Sequence, residues 1–344
     1  MPLKPSETPN LQDIAVAAGV STATVSRVLN SPAAVRPALR ERVEQQIRAL
    51  GYVRHGAARA LASARSYTIG AVIPTLESAI FASGVDAVEN RLAEARQTLL
   101  LAVTNYDLDH EYTQVRALLE RGVDGMILVG RDHKPETLHM LSQHHCPFVL
   151  TWTYADASPY PCVGFDNPGA ARRITEHLLD LGHKRIGVIA GIQGGNDRAR
   201  ERVQGVAAAL STRGLSLDPT MLIEKPYEIG AGRDAFRALM QRPKTKRPTA
   251  LFCGNDVLAI GALLEARQLG LSVPDNVSIV GFDNLPLAEH LSPGLTTIHV
   301  PSRRMGKGAA EYLLQCIDGK SPEAPTALPT DIMIRGTTAP PPKR

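Results

Sequence analysis

Hydroxyl side chains and a lone arginine share one short stretch, residues 19–30, which is GVSTATVSRVLN. Its Ser and Thr side chains are small enough to let a backbone approach phosphates and base edges, and their hydroxyls hydrogen-bond to both. Arg27 follows about one helical turn after the first hydroxyls, and arginine is the side chain that most often recognises guanine in the major groove. This stretch therefore predicts contact with nucleic acid.

A second set of polar side chains follows β-branched runs later in the chain. Arg202, Asn255 and Asp283 offer a guanidinium, an amide and a carboxylate, which together bind neighbouring hydroxyls of a polyol or sugar in paired hydrogen bonds. Asn255 and Asp283 also stand at strand-to-helix junctions, where each could serve only as a helix cap. The sequence leaves both interpretations open.

Positive charge is concentrated at the start of the chain. Residues 1–66 contain nine Lys or Arg and four Asp or Glu, although the net charge of all 344 residues is only +4. A basic segment on a near-neutral remainder favours a polyanionic partner for that segment. The chain has no apolar run of membrane length, no secretory signal after Lys4 and no CxxC pair, so we expect a cytoplasmic protein with reduced thiols and no membrane partner.

Residues 1–52 are expected to form three short helices. Apolar residues recur at helical spacing over residues 11–18, 25–29 and 39–50, with Gly19 after the first run and a serine placed to cap the second helix. Three helices with a glycine-containing turn between the first two form a helix-turn-helix domain. A plain three-helix bundle is the alternative that periodicity alone allows.

The stretches LQDIAVAAGVSTATVSRVLN and VRPALRERVEQQIRALGY resemble the head of the lactose-repressor (LacI/GalR) family of bacterial transcription regulators, with the gluconate-repressor-like subgroup as our expectation. The resemblance continues through most of the chain. It implies a homodimer that binds a palindromic operator in double-stranded DNA, with Thr22 and Ala23 reading bases and Arg27 matching the arginine of the TVSR motif. The residues that the resemblance places mainly on phosphates are Ser21, Thr24, Ser26 and Asn30.

Residues 53–66 are expected to be a hinge that folds on DNA. Alanines alternate with arginines there, and the apolar side is too thin for a stable isolated helix. In the family this helix enters the minor groove, and the resemblance makes Leu61 the wedge that kinks the DNA, with Ala58 at the contact between paired helices. Arg54 and His55 replace the family's usual Pro-Asn pair and are also expected to contact DNA. A flexible basic linker is the alternative.

From residue 67 to residue 336, short β-branched runs alternate with amphipathic segments of helical length. The runs TIGAVIP, TLLLAV, DGMILV, PFVLT, RIGVIA, TALFC and VSIVGF are typical of buried parallel strands. The alternation predicts an α/β fold with doubly wound parallel sheets in two lobes, and the resemblance implies a body similar to periplasmic binding proteins. The expected bounds are 67–166 and 298–328 for lobe one, 167–297 and 329–336 for lobe two, and 337–344 for a disordered tail.

The resemblance also implies a small, sugar-like effector in the cleft between the lobes. Arg202, Asn255 and Asp283 match the family's effector-contacting residues, and Tyr227 matches an aromatic that stacks on a sugar ring. Trp152 stands where many members have an aspartate, so lobe one departs from the family.

Arginines near this cleft favour an anionic effector. Arg131, Arg198 and Arg202 could converge on one anion, so we expect a sugar acid or a sugar phosphate before a neutral sugar. The residues expected at the effector site are Glu77, Phe81, Arg131, Trp152, Phe165, Arg198, Arg202, Tyr227, Asn255 and Asp283.

Competing chemistries have weaker signals. GIQGG at residues 191–195 lacks both the GxGxxG spacing and a Walker lysine, and His139, His144 and His145 lack the spacing of metal ligands. We therefore expect no cofactor, no metal and no catalysis. The alternative function is an α/β enzyme that processes a sugar or nucleotide and has a non-specific basic head. Effector binding is expected to release DNA, with corepression as the open alternative.

Overall fold

The structure, a computed structural model, describes residues 9–53 and 65–343, and the chain divides into two compact units between residues 66 and 67. The first unit is the basic head and the second is an α/β body. All four cysteines are free thiols, three of them buried. Within the two described ranges, the structure contains no helix that is long and apolar enough to cross a membrane.

The head is built from three helices, α1 (Leu11–Ala18), α2 (Thr22–Asn30) and α3 (Pro37–Ala49). Gly19 ends α1 with a φ of 63°, a left-handed conformation that glycine adopts without strain. Ser21 caps α2, and its Oγ accepts a backbone N–H of the first turn at 3.2 Å. The helix-turn-helix predicted from the sequence is confirmed.

A small apolar core joins the three head helices, and its last member differs from the expectation. Leu50 was expected to point inward but is 39% exposed, because α3 ends one residue earlier and Gly51 turns the chain with a φ of 62°. The buried residues of this core are Ile14, Ala15, Ala18, Val25, Val28, Val43 and Tyr52. Tyr52 thus closes the core where Leu50 was expected.

Lobe one of the body contains a five-stranded parallel sheet in the order β2-β1-β3-β4-β5. Its strands are β1 (Thr68–Ile73), β2 (Thr98–Val103), β3 (Gly125–Val129), β4 (Phe148–Thr151) and β5 (Cys162–Val163). Its first three helices are α4 (Ala79–Glu94), α5 (Leu108–Glu120) and α6 (Pro135–Gln143). The strands β1 and β3 are buried almost throughout, which explains their unbroken apolar runs.

Lobe two contains a four-stranded parallel sheet in the order β7-β6-β8-β9. Its strands are β6 (Ile186–Gly191), β7 (Leu222–Lys225), β8 (Ala250–Cys253) and β9 (Ser278–Val280). Its helices are α7 (Asn167–Asp180), α8 (Asp197–Thr212), α9 (Ile229–Met240), α10 (Asp256–Gln268) and the short α11 (Leu287–His290). The sequence did not predict β7, a half-buried edge strand with two charged residues.

Two short crossover strands, β10 (Thr297–His299) and β11 (Asp331–Met333), pair antiparallel. Between them, α12 (Ser302–Ile317) packs against α4 and against β3 and β4, so this segment belongs to lobe one. After β11 the chain rejoins lobe two, where the backbone N–H of Ile279 donates to the carbonyl of Thr337 at 2.9 Å. The chain therefore passes between the lobes three times.

The C-terminal segment packs against lobe two. Thr337 is fully buried. The carbonyl oxygen of Ala339 lies 2.9 Å from Nε2 of His183, and the N–H of Ala339 donates to Oγ of Ser278 at 3.1 Å. The disordered tail predicted for residues 337–344 is therefore wrong for this part of it, because these backbone groups satisfy buried polar groups of lobe two.

Candidate functional site

The candidate DNA-reading surface is the exposed side of α2. Thr22 and Ala23 are exposed in its first turn, and Arg27 is exposed one turn later. Ala23 and Arg27 are four residues apart, so they are neighbours on the same side of the helix. The first turn of α2 also presents backbone N–H groups and the positive end of the helix dipole, which favour phosphate.

Polar groups beside this surface hydrogen-bond to one another. Oγ of Ser21 lies 3.0 Å from Oγ1 of Thr24, and Nδ2 of Asn30 donates to Oγ of Ser26 at 3.1 Å. A hydroxyl has one donor and two acceptor positions, so these pairs retain capacity for phosphate contacts. The predicted hinge contacts lie outside the described residues: Arg54, His55, Ala58 and Leu61.

The candidate effector site is a cavity between the lobes, at the carboxyl ends of their strands. Its volume is about 30 Å³. An apolar cavity of roughly 150 Å³ holds benzene, so a sugar-sized ligand requires the lobes to part. Lobe one lines it with Ser78, Ile80, Phe81, Tyr106 and Trp152. Lobe two lines it with Asn196, Arg198, Arg202, Tyr227, Asn255 and Asp283. Seven of the ten residues predicted from the sequence are among them.

Arg202 is the central cation of this cavity. Its Nε donates to Oδ1 of Asn167 at 3.0 Å, and a terminal nitrogen donates to the carbonyl of Gly254 at 2.7 Å. The guanidinium carbon lies 3.8 Å from the ring centroid of Phe282. One terminal nitrogen of the guanidinium lies 4.0 Å from Oδ1 of Asp283. A guanidinium has five N–H donors, so these two hydrogen bonds leave donors for a ligand.

Asp283 and Asn255 have different roles at this site. Burial raises the pKa of Asp283 to about 8, with Arg202 lowering it and Asp256 raising it further, so the carboxyl is protonated at neutral pH. Asn255 caps α10, because its Oδ1 accepts the backbone N–H of Leu258 at 2.9 Å, and it also lines the cavity. The cap and the site interpretations therefore both hold for Asn255, whereas Asp283 is not the cap of α11.

Aromatic side chains form the walls of the cavity. Phe81 and Trp152 meet edge to face with ring centroids 5.1 Å apart, and Tyr106 and Tyr227 face each other across the lobes at 6.1 Å. Nε1 of Trp152 is buried and has no hydrogen-bond partner in the part of the chain that the structure describes. Sequence reasoning missed Tyr106, although its position just after β2 was a signal that could have found it.

Three residues predicted at the effector site lie outside the cavity. Glu77 is exposed on the loop before α4, and Phe165 is fully buried in the hydrophobic core. Arg131 turns toward α8 instead, where its backbone N–H donates to Asp197 at 2.9 Å and its guanidinium donates to Glu201. The predicted convergence of three arginines is therefore wrong for Arg131, because carboxylates of lobe two pair with it.

An ion-pair cluster joins the lobes beside the cavity. Asp132, just after β3, accepts two hydrogen bonds from Arg200 of α8 at 2.7 and 2.9 Å. Gly130 has a φ of 87°, and a Cβ there would lie 1.9 Å from a nitrogen of Arg198, so glycine permits this close approach of the lobes. This interlobe cluster consists of Arg131, Asp132, Asp197, Arg200 and Glu201.

The glycine cluster and the histidines that were weighed as alternative sites both lie outside the lining of the effector cavity. GIQGG begins at Gly191, the last residue of β6, and leads toward α8. Gln193 donates to the carboxylate of Glu224 through both its backbone N–H, at 3.0 Å, and its side-chain amide, at 2.7 Å. His139 and His144 line a surface groove of lobe one beside α5 and α6. In residues 9–53 and 65–343, no group of three or more His, Cys, Asp or Glu is placed to hold a metal ion.

Comparisons with known proteins agree with this architecture. The family profile of bacterial regulatory proteins of the lacI family matches residues 10–55, and that of the periplasmic binding protein-like domain matches residues 175–338. The HTH-type transcriptional repressor PurR of Aliivibrio fischeri (strain MJ11) is 35% identical over 315 residues, which is 91% of this chain and 93% of that protein. Since this relative is a transcriptional repressor, the alternative of a sugar-processing enzyme is set aside.

Two solved structures extend the comparison to three dimensions. The transcription regulator GntR from Chromobacterium violaceum is 35% identical in sequence and has a TM-score of 0.74. The match covers 78% of this chain and 98% of that one. The lac repressor dimer bound to operator and the anti-inducer ONPF is 27% identical in sequence and has a TM-score of 0.85. The match covers 96% of this chain and 99% of that one. The chain therefore belongs to the lacI family of bacterial regulatory proteins, and it is a DNA-binding transcriptional repressor with an effector-binding body.

Proposed function

We propose that the protein acts in the cytoplasm as a homodimer that binds a palindromic operator, one head per half-site. A small sugar acid or sugar phosphate between the lobes changes their separation and so weakens operator binding. Base recognition falls to Thr22, Ala23 and Arg27, and neighbouring hydroxyls and backbone N–H groups hold phosphates. The accessible first turn of α2 supports this assignment. Leu61 as a minor-groove wedge is part of the proposal.

Operator binding is tested by fluorescence anisotropy with labelled palindromic DNA from the gene's own upstream region, beside scrambled DNA, at two salt concentrations. We expect salt-sensitive binding with a preference for the palindrome of at least about 10³. Equal and weak binding to both DNAs would contradict a sequence-specific head.

An apolar surface on lobe two supports the dimer. Ile260, Leu263 and Leu271 line a surface groove beside α10, Leu264 is 47% exposed there, and Leu287 of α11 is 52% exposed. Covering such a patch with a second copy removes apolar area from water. A palindromic operator also needs two heads related by a two-fold axis. Sedimentation of the free protein is expected to show a dimer.

The observation that carries the effector proposal is the buried guanidinium of Arg202, which lines the cavity and has N–H donors beyond its two hydrogen bonds. Arg198 pairs with Asp197 at 2.8 Å, whereas Arg202 faces Asp283, whose raised pKa keeps it neutral at pH 7. A buried charge without an ionised partner is costly, and an anionic ligand would remove that cost. Aromatic walls and the amide of Asn255 suit the remaining carbon and hydroxyl groups of a sugar acid.

Calorimetry tests the class of effector with D-gluconate as the acid and D-glucose as the neutral sugar of the same carbon skeleton. We expect heat of binding for gluconate and much weaker or no binding for glucose, because only gluconate has a carboxylate for Arg202. Tight binding of the neutral sugar with none of gluconate-like acids would overturn the proposal.

The affinity for gluconate is expected to fall as the pH rises through 8. Below its pKa of about 8 Asp283 is neutral, and above it the carboxylate repels an anionic ligand. Binding then requires uptake of one proton, so the affinity falls by at most about tenfold per pH unit. Calorimetry from pH 6 to pH 9 measures this slope, and Asp283→Asn is expected to flatten it. Affinity that rises between pH 7 and pH 9 would contradict this account.

The interlobe cluster is expected to tune effector affinity without touching the effector. Asp132→Ala removes the carboxylate that pairs with Arg200, and a half-exposed ion pair contributes at most about 1 kcal/mol, so gluconate binding changes by roughly fivefold or less and the change shrinks at high salt. Exchanging the charges, Asp132→Arg with Arg200→Asp, should restore the wild-type affinity. Glu120→Ala, which breaks an ion pair with Arg116 inside α5, is the control. No difference between Asp132→Ala and this control would argue against the cluster's role.

A further inference from the structure

Two consecutive residues with positive φ form the turn that places Asp283. The φ angle is 120° at Asp283 and 55° at Asn284. Side chains other than glycine adopt such conformations only where surrounding contacts hold them. The N–H of Asp283 donates to the carbonyl of Ile298 at 2.9 Å, which fixes one side of the turn. The other side depends on contacts from elsewhere in the fold.

Asp256 spans this turn from both ends. Its backbone N–H donates to the carbonyl of Phe282, just before the turn, at 2.8 Å. Its Oδ2 accepts the backbone N–H of Leu285, just after the turn, at 2.7 Å. Its Oδ1 accepts the hydroxyl of Thr297 in β10 at 2.6 Å. Because the residue is fully buried, water does not compete for these bonds.

Arg335 holds the second residue of the turn. One terminal nitrogen donates to Oδ1 of Asn284 at 2.8 Å and the other donates to the carbonyl of Leu295 at 2.7 Å. Nδ2 of Asn284 lies 3.2 Å from Nδ1 of His299 in β10. Arg335 lies two residues after β11, so the segment after β11 and the strand β10 contact the same turn. A change in lobe separation would therefore act on this turn.

We propose that Asp256 and Arg335 are positioning residues for effector recognition. They hold the turn at residues 283–284 so that Asp283 faces the cavity, and they connect that turn to the crossover strands. Neither residue lines the cavity, so both act through Asp283. The inference rests on the proposed function only in that it takes Asp283 as an effector contact.

The charged environment of Asp283 supplies a readout beyond stability. Asp256 raises the pKa of Asp283 through its negative charge, and Arg202 opposes it. Tyr106 also faces this carboxyl and has a pKa raised by burial, so it stays neutral over the range in which Asp283 titrates. Removing the charge of Asp256 should therefore move the ionisation of Asp283 to lower pH. A role confined to folding would not move it.

The experiment uses the full chain and three variants of matched burial. Asp256→Asn removes the charge. Thr297→Val keeps that charge but removes the hydroxyl that donates to Asp256 and accepts the backbone N–H of Asn284 in the turn. Glu265→Gln removes another fully buried carboxylate of α10, which pairs with arginines away from the turn. Calorimetry measures D-gluconate affinity at pH 7. The fluorescence of Trp152, the only tryptophan of the chain, is followed against pH without ligand and gives the midpoint of an ionisation in the cavity. Loss of this transition in Asp283→Asn assigns the midpoint to Asp283.

We expect Asp256→Asn to weaken gluconate binding by roughly tenfold to a hundredfold and Thr297→Val by roughly threefold to tenfold. Glu265→Gln should remain close to wild type. The fluorescence midpoint should fall to lower pH in Asp256→Asn and stay unchanged in Glu265→Gln. Affinities and midpoints for the first two variants equal to those of Glu265→Gln would overturn the proposal. If the wild type does not bind gluconate, the effector class is wrong, and the ligand-free midpoint alone decides on Asp256.

Discussion

Replacing Arg27 by alanine is expected to weaken binding to the palindromic operator while changing binding to scrambled DNA little. Arg27 is exposed one turn into α2, where its fork of donors can reach a guanine. One such contact contributes roughly 1–3 kcal/mol, and a dimer makes it twice, so the operator affinity should fall between about thirtyfold and about 25,000-fold. Anisotropy at a fixed salt concentration measures both affinities.

Arg40→Ala is the control for Arg27→Ala, because Arg40 lies on α3 of the same unit and its guanidinium pairs with Glu44 at 2.6 Å. It should reduce operator affinity far less. If Arg27 contacts phosphate instead of a base, its loss would weaken binding to both DNAs equally and lower the salt dependence by about one ion per contact. That pattern would refute the base-reading role.

Replacing Arg202 by methionine is expected to abolish the response to effector and leave operator binding intact. Methionine keeps much of the side-chain volume but removes the buried cation that faces the ligand. Hydrogen bonds to charged groups contribute roughly 1.5–3 kcal/mol, and a carboxylate that loses its buried partner costs more, so gluconate affinity should fall by at least about a hundredfold. The variant would stay on the operator at gluconate concentrations that release the wild type.

Arg213→Met provides the matched control for Arg202→Met, since Arg213 directly follows α8 and pairs with Asp180 at the exposed surface. Calorimetry and anisotropy should find it indistinguishable from wild type. Thermal unfolding of both variants separates a local loss of binding from a loss of fold, because Arg202→Met also leaves the carbonyl of Gly254 without its donor. Retained gluconate affinity in a folded Arg202→Met protein would remove this residue from the effector site.

Much of the fold could be predicted from the sequence because its signals are local. Helix caps at Ser21 and Gly19, and apolar runs bounded by turns, identify α2 and the buried strands without any tertiary information. The edge strand β7 escaped prediction because half-buried, charged strands lack that signal. The tail also escaped it: the composition TTAPPPKR is typical of disorder, but lobe two needs the carbonyl of Ala339 beside His183, a pairing 156 residues apart.

The effector site could be predicted in part because parallel strands place their carboxyl ends at one edge. That rule found Arg202, Asn255 and Asp283, yet it cannot say which way a side chain turns. Arg131 follows β3 as expected, but its carboxylate partners lie 66 to 70 residues away on α8, so its direction was not readable from the sequence. The same limit hid Asp256, whose hydrogen bonds reach residues 29 and 41 positions later.

The most direct test of the account is to titrate D-gluconate into the preformed complex of protein and labelled operator, at constant salt and pH 7, and to follow anisotropy. Gluconate is expected to release the operator from the wild type, with a coupling of about 1–3 kcal/mol, and to have no effect on the Arg202→Met variant. Release of operator from both proteins at the same concentration, or from neither while calorimetry shows gluconate bound to the wild type, would contradict control of DNA binding by an anionic effector at this site.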